Sequence, residues 1–440
     1  MRFAPTSRLV VLLFALAAGA AAFGLYAGPS WGYLGAAVLA LIVVADLWRG
    51  SRDRVPPASE TEQIVRLTEL RPSDFVVTHR FAAGARRESF RVAIGFPPEL
   101  GARVVVQRAA NPAEVQRLSW HLCPTKRGRI RGVSIRFEYS SPAGLWLLRY
   151  QRELPADFRI YPNLMAEGRG TARHFLPRAA GQRAVRGAGR GREFEKLREY
   201  LPGDGFDELH WKASAKRSRP VTKVFQMERT QEVLAVVDAS RLSARSSGGR
   251  APDRPVLDRF VPAALALIAV AQRQGDKFGV ATFDDRIRAF VGTGSGRVHY
   301  GACRDALLEL QPSDAVPDVA EIVRFLRTRV RRRTLMFLFT DLSDPVLAED
   351  LLRYGRLLTP PHRVFIGQAH TSEVAPLFGG APVRADDEVY ARLAGHLRWK
   401  ELRAVARRLR PSGVTVVPLH SATMASDAIQ HYLAARRKMV

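Results

Sequence analysis

Val233-Leu234-Ala235-Val236-Val237 runs straight into Asp238-Ala239-Ser240-Arg241-Leu242. An unbroken apolar run, without polar alternation, suits a strand buried on both faces, as in parallel sheets. Parallel strands need crossover connections, usually helices. The sequence supplies them. Asp258–Gln274 has helical apolar spacing, Lys277–Phe283 reads as a strand, and Cys303–Leu310 and Val319–Val330 read as helices. Leu335–Phe339 is a second wholly apolar strand. Then follow a helix over Pro345–Leu358, a strand at Arg363–Ile366, a helix over Asp387–Leu409, a strand at Val414–Pro418 and a closing helix over Ala422–Lys438. Residues 231–440 are therefore expected to form an α/β doubly wound parallel sheet with helices on both faces.

On such a sheet, sites lie outside the carboxyl ends of the strands. One strand ends in Asp238 and Ser240; another ends in Thr340-Asp341-Leu342-Ser343-Asp344. Carboxylates and hydroxyls at adjacent tips are oxygen ligands for a hard cation such as Mg2+. The same residue types cap helices, and both readings stand at this point.

Outward from that sheet, residues 165–230 are charged and irregular, and Gly168–Arg192 is dominated by Gly and Arg, as in a loop. Residues 62–164 carry short β-type runs: Asp74–Thr78, Phe90–Ile94, Arg103–Val106, Ile130–Phe137 and Phe158–Tyr161. They suggest a small β-sandwich. Alternation around Ile130, Gly132, Ser134 and Phe137 is imperfect. Residues 51–61, with Pro56-Pro57, read as a linker.

Residues 1–50 read as a transmembrane helical hairpin. Leu9–Ala45 carries no formal charge over 37 residues. As one helix it would measure about 55 Å, against a hydrocarbon core of ~30 Å. Gly28-Pro29-Ser30 breaks it, giving spans of about 9–27 and 31–48. Trp31, Tyr33 and Trp48 stand where interfacial aromatics sit. Arg2 and Arg8 precede the first span, and Arg49, Arg52 and Arg54 follow the second. The positive-inside rule then places everything after residue 50 in the cytoplasm, at the cytoplasmic (inner) membrane. The alternative is a signal peptide cleaved near Ala20-Ala21-Ala22.

Of 440 residues, 68 are Lys or Arg and 42 Asp or Glu, for a net charge of +26. Such a balance raises nucleic-acid binding, but the basic residues look scattered rather than gathered in a stripe. Two cysteines exclude a disulfide framework and a Cys-rich zinc site. There is no phosphate-binding loop with Lys-Ser/Thr, no His-Glu-x-x-His and no Gly-x-Ser-x-Gly. Cys123 with nearby His121, Cys303 and His210 read as packing or loop residues. No catalysis is expected.

Gly191-Arg192-Glu193-Phe194-Glu195-Lys196-Leu197-Arg198-Glu199-Tyr200-Leu201-Pro202-Gly203-Asp204 leads into His210-Trp211-Lys212-Ala213-Ser214-Ala215. This resembles the signature of the domain of unknown function 58 family. Arg127-Gly128 and Ser141-Pro142-Ala143-Gly144-Leu145 also fit that pattern. The resemblance implies two membrane spans, a β-rich region, and a closing domain similar to the von Willebrand factor A fold. The metal-ion-dependent adhesion site of that fold is Asp-x-Ser-x-Ser, a separate Thr and a later Asp. Asp238, Ser240 and Asp341 match it; Leu242 replaces the second Ser, and Gln311–Val316 contains no Thr. The resemblance further implies a working partner, a MoxR-type AAA+ ATPase, in chaperone-like assembly or activation of other proteins.

Physically, Pro202-Gly203 favours a turn. Arg198, Glu199 and Asp204 are able to pair, and Trp211 is expected to anchor the loop by burial. The alternative is a docking surface built on Arg198, Tyr200 and Trp211, with Glu193, Phe194 and Lys212 in the same signature. Two functions compete: a membrane-anchored, non-enzymatic adaptor or scaffold, and divalent-cation-dependent protein-ligand binding through the degenerate adhesion site.

Overall fold

The computed structural model describes residues 2–27, 29–53, 58–80, 90–102, 106–109, 115–164, 188–201, 209–226, 230–246, 254–371, 374–378 and 386–437. They form two compact units, Met1–Asn163 and Leu164–Val440.

The first unit begins with strand β1 (Arg2–Pro5), then helices α1 (Ser7–Ala27) and α2 (Pro29–Asp53), which contact each other. Within them Tyr33–Ser51 is long and apolar enough to cross a membrane, and Ser7–Gly19 is a shorter apolar stretch. Strands β2 (Ala58–Glu60), β3 (Ile64–Thr68), β4 (Ser73–Arg80), β5 (Phe90–Gly95), β6 (Gln107–Ala109), β7 (Val115–Leu122), β8 (Gly128–Ser140) and β9 (Trp146–Tyr161) follow. They build a six-stranded sheet in the order β1-β9-β8-β5-β6, with β3 also on β9, and a three-stranded sheet β2-β4-β7. Side chains alternate across a strand, so Phe75, Val77 and Trp120 of the small sheet meet Val92, Phe137 and Phe158 of the large one in one core. The broken alternation of β8 has a local cause. The register shifts between Arg131 and Val133, and Gly132 at φ +71° makes the bulge. Beyond it Val133, Ile135, Phe137 and Tyr139 are buried at period two. Of the expected Arg103–Val106 strand, residues 103–105 lie outside the described residues.

The helices are stitched to this sheet at both ends. Residues Arg2–Pro5 pair antiparallel with Trp146–Arg149, and the Thr6 hydroxyl donates to the Gly144 carbonyl at 2.8 Å. Late in α2, the Asp46 carboxylate accepts from the Ala143 N–H (2.7 Å) and from the Ser141 hydroxyl. The Trp146 indole N–H donates to the Val43 carbonyl at 3.1 Å. The Ser141–Leu145 turn is thus the receptor for α2.

In the second unit, part of the stretch expected to be irregular is ordered. Strand β10 (Ala188–Glu199) pairs antiparallel with β11 (Val221–Gln226), and helix α3 (Trp211–Arg217) lies between them in sequence. Strands β12 (Glu232–Asp238), β13 (Lys277–Phe283), β14 (Ile287–Gly294), β15 (Thr334–Thr340), β16 (Arg363–His370) and β17 (Val414–His420) form a sheet of order β14-β13-β12-β15-β16-β17. All neighbours are parallel except β13 with β14. Edge strand β14 is half-exposed throughout, so its sequence lacked the apolar run that marked the others. The connecting helices are α4 (Leu257–Arg273), α5 (Arg297–Leu308), α6 (Val319–Arg329), α7 (Pro345–Tyr354), α8 (Asp386–Leu409) and α9 (Met424–Arg437). Helices cover both faces. Val233, Ala235 and Val237 pack with Phe260, Ile268 and Tyr432; Leu234 and Val236 pack with Ile322, Leu326 and Leu351.

Candidate functional site

At the carboxyl end of the sheet, Asp238 is fully buried. Its Oδ1 accepts from the Ser240 N–H at 2.8 Å and its Oδ2 from the Thr340 hydroxyl at 2.6 Å. Burial pushes its pKa above the ordinary carboxylate value, and the bonds from Thr340 and Ser240 offset part of that rise. Ser240 starts the short turn Arg241–Ala244, its Oγ accepting from the Leu242 N–H at 3.4 Å. Leu242 points into the apolar core.

Asp341 stands on the adjacent strand end. Its Oδ1 accepts from the Ser343 N–H (3.0 Å), the Ser343 hydroxyl (2.5 Å) and the Gln368 amide (2.9 Å). Its Oδ2 lies 3.6 Å from Arg245 Nη1. Asp344 caps α7 through the Val346 N–H at 2.9 Å and pairs with Arg241 at 3.2 Å. In the stretch without a Thr, Ser313 donates to Asp284 Oδ2 at 3.0 Å. Sequence reasoning named the strand ends but missed Gln368, Ser313, Asp284, Arg241 and Arg245. Only the fold brings those residues to the same edge.

This donor set does not fit Mg2+. Both oxygens of the buried Asp238 are engaged by the Ser240 N–H and the Thr340 hydroxyl and are turned toward those donors. The cationic partners of Asp341 and Asp344 are guanidiniums. Among the described residues, no group of three or more His, Cys, Asp and Glu is placed to hold a metal.

The signature lies elsewhere in the unit. Phe194 pairs with Phe225 and Glu193 with Gln226 along the β10–β11 ladder. Pro202, Gly203 and Asp204 lie outside the described residues. Glu199 pairs with Arg219, and the Arg198 guanidinium donates to the Glu199 carbonyl at 3.2 Å. The Tyr200 N–H donates to the Pro220 carbonyl at 3.0 Å. His210 is the N-cap of α3, its Nδ1 accepting from the Ala213 N–H at 3.1 Å. Ser214 Oγ accepts from the Val221 N–H at 2.9 Å and donates to the His210 carbonyl at 3.1 Å.

The expected anchor is overturned. Trp211 is 69% exposed, and Leu201 is 58% exposed. Trp211 is the first residue of a short helix, and Leu209 and Val221 are the buried residues there. Lys212 is exposed beside it. The side chains fastening this segment are therefore His210 and Ser214, whose small polar groups gave no sequence signal of that role.

His121 lies on the solvent side and contacts Asp74. Cys303 is buried in α5, and burial pushes its thiol up to about 12, which disfavours the thiolate.

The family model described as protein of unknown function DUF58 matches residues 196–369. These residues belong to the DUF58 family. The DUF58 segment runs from the exposed signature through both strand ends, Asp238 and Asp341. Several solved structures resemble the chain. The conserved hypothetical protein BatB from Bacteroides thetaiotaomicron is 15% identical, with a TM-score of 0.32 over 47% of this chain and 99% of that one. Proximal thread matrix protein 1 from the mussel byssus is 13% identical, with a TM-score of 0.25 over 46% of each chain. An uncharacterized membrane spanning protein from Vibrio fischeri is 12% identical, with a TM-score of 0.18 over 48% of this chain and 99% of that one. No curated protein matches the chain.

Proposed function

We propose that this chain is a membrane-anchored, non-enzymatic adaptor. Its DUF58 signature docks a MoxR-type AAA+ ATPase, and a von Willebrand factor A-like doubly wound domain carries that signature in chaperone-like assembly of other proteins. The observation that carries the reading is the exposure of Trp211 and Leu201 on an ordered segment. An exposed Trp costs hydrophobic free energy in the free protein. Trp, Tyr and Arg are the side chains most often found as binding anchors. The fixed cap and ladder beneath Trp211 pre-organise it, which lowers the ordering cost of association.

The anchor is a helical hairpin in this reading. Thr6, just before α1, and Asp46, late in α2, both hydrogen-bond to the Ser141–Leu145 turn, so an even number of crossings fits them better than a single span. Arg2 and Arg8 before the first helix and Arg49 late in the second support a cytoplasmic position for the folded units at a bacterial inner membrane.

The test is co-purification from membranes with a non-hydrolysed nucleotide. The AAA+ ATPase is expected with the parent chain, and Trp211→Ala is expected to weaken recovery by about tenfold or more, the loss of a binding anchor. Absence of any AAA+ ATPase from the parent preparation removes the proposal.

A further inference from the structure

The amino ends of the parallel strands lie opposite the tips that carry Asp238 and Asp341. Arg327-Thr328-Arg329-Val330-Arg331-Arg332-Arg333 ends α6 and leads into β15, with five arginines in seven residues. A helix C-terminus favours cations by about 0.3–1 kcal/mol, but only within its last turn. That accounts for Arg327 and Arg329 and not for the three arginines beyond.

The fold sets this run over a cleft of about 360 Å³ between β12, β13, β14 and the end of α6. Lys277, Arg329, Arg331 and Arg332 line it against a single carboxylate, Glu232, a formal excess of 4 − 1 = +3. Glu232 is already engaged: it accepts from the Thr293 hydroxyl at 2.9 Å and lies 3.7 Å from Arg332 Nη1. It therefore orients Arg332 and leaves the other three cations unmatched within the lining. Phe290 forms a wall, braced edge-on by Phe325 at 5.3 Å, and the Arg329 guanidinium lies over the Phe325 ring. Gly292 completes the lining; a Cβ there would touch only Phe290, at 3.7 Å.

Like charges gathered around a concave surface focus a field that attracts anions. Guanidinium forks match the oxygens of phosphate or carboxylate two at a time, and the excess positive charge of the lining favours the more highly charged phosphate over a carboxylate or a halide. The volume lies at the small end of ligand pockets and suits a single phosphate-bearing group rather than a dinucleotide. We propose that this cleft binds a terminal phosphate or pyrophosphate group. That chemistry is shared by soluble phosphorylated molecules and by the headgroup of phosphatidic acid.

The test uses the full chain in a zwitterionic detergent and calorimetric titration with two probes: sodium pyrophosphate, and dihexanoyl phosphatidic acid below its micelle concentration. Parent protein is expected to bind at least one. Arg331→Glu with Arg332→Glu should weaken that binding by about tenfold or more, equivalent to about 1.4 kcal/mol. Gly292→Val, which narrows the cleft beside Phe290 without changing charge, should also weaken it. Arg407→Glu with Arg408→Glu, the same charge change on exposed positions of α8, should leave it intact. Binding of pyrophosphate alone identifies a soluble ligand; binding of the lipid alone identifies a headgroup. Heat from neither probe overturns the proposal. So does an equal loss in the α8 control, which would mark the binding as a property of the overall charge.

Discussion

His79 sits fully buried in the core of the first unit, its ring edge-on to Phe137 at 5.4 Å and its Nδ1 3.0 Å from the Ser59 hydroxyl. Among the described residues its Nε2 has no hydrogen-bond partner. Burial in this aromatic surround lowers its pKa from 6.5 to about 4. The sign follows directly. Above pH 6.5 neither the folded nor the unfolded chain holds a proton at this residue, and its contribution is constant. Between pH 6.5 and about 4 the unfolded chain takes up a proton that the fold refuses, so stability falls as pH falls. At ~1.36 kcal/mol per pH unit, the loss across that window is about 3 kcal/mol. His79→Leu removes the group and keeps an apolar side chain in the core. Denaturant unfolding of both proteins, followed by fluorescence that includes buried Trp120 of the same core, gives the difference in stability at pH 7.5 and pH 4.5. That difference should move by about 2.5 kcal/mol in favour of the variant at the lower pH. A difference that stays constant refutes the reasoning, because every other titrating group is common to the two proteins.

Three further outcomes are expected. Asp276 is buried at the start of β13 and accepts from the Tyr432 hydroxyl and from Arg436 Nε at 3.0 Å. Arg436→Ala strands that carboxylate and should cost about 3–5 kcal/mol, read as earlier unfolding of the second unit in a thermal melt. Gly101 has φ +57°, and a Cβ there would lie 2.0 Å from the Cys123 carbonyl oxygen. Gly101→Ala should therefore lower the melting temperature of the first unit, whereas Gly275→Ala, also at positive φ but meeting nothing within 4 Å, should cost less. Finally, Mg2+ and a chelator should leave the melting temperature unchanged; a rise with Mg2+ that Asp341→Ala abolishes would contradict the donor analysis of the strand tips.

The sequence spoke most clearly where burial is complete. Val233–Val237 and Leu335–Phe339 are apolar throughout because both of their faces are covered, and they sit side by side at the centre of the sheet. Edge positions carry no such constraint, so β14 was silent, and β1, only Arg2–Pro5, has no periodicity to read. At the strand tips, residue types suggested a metal because Asp, Ser and Thr serve equally as ligands and as partners for one another. Only the directions of their hydrogen bonds separate the two. Trp211 failed in the opposite sense. Aromatic residues are buried often enough that exposure has to be seen, and its neighbours in sequence do not disclose which side of α3 faces the ladder.

The short pairing of Arg2–Pro5 with β9 bears on how the protein is handled. Cleavage near Ala20-Ala21-Ala22 would strip that strand from the sheet and uncover the backbone of Trp146–Arg149, an unpaired edge of the kind that recruits other chains. An affinity tag fused directly before Arg2 would crowd the same edge, while one placed after α9 would leave it covered. Preparations that aggregate after N-terminal tagging would then be reporting a missing strand, with no fault in the solubilising detergent.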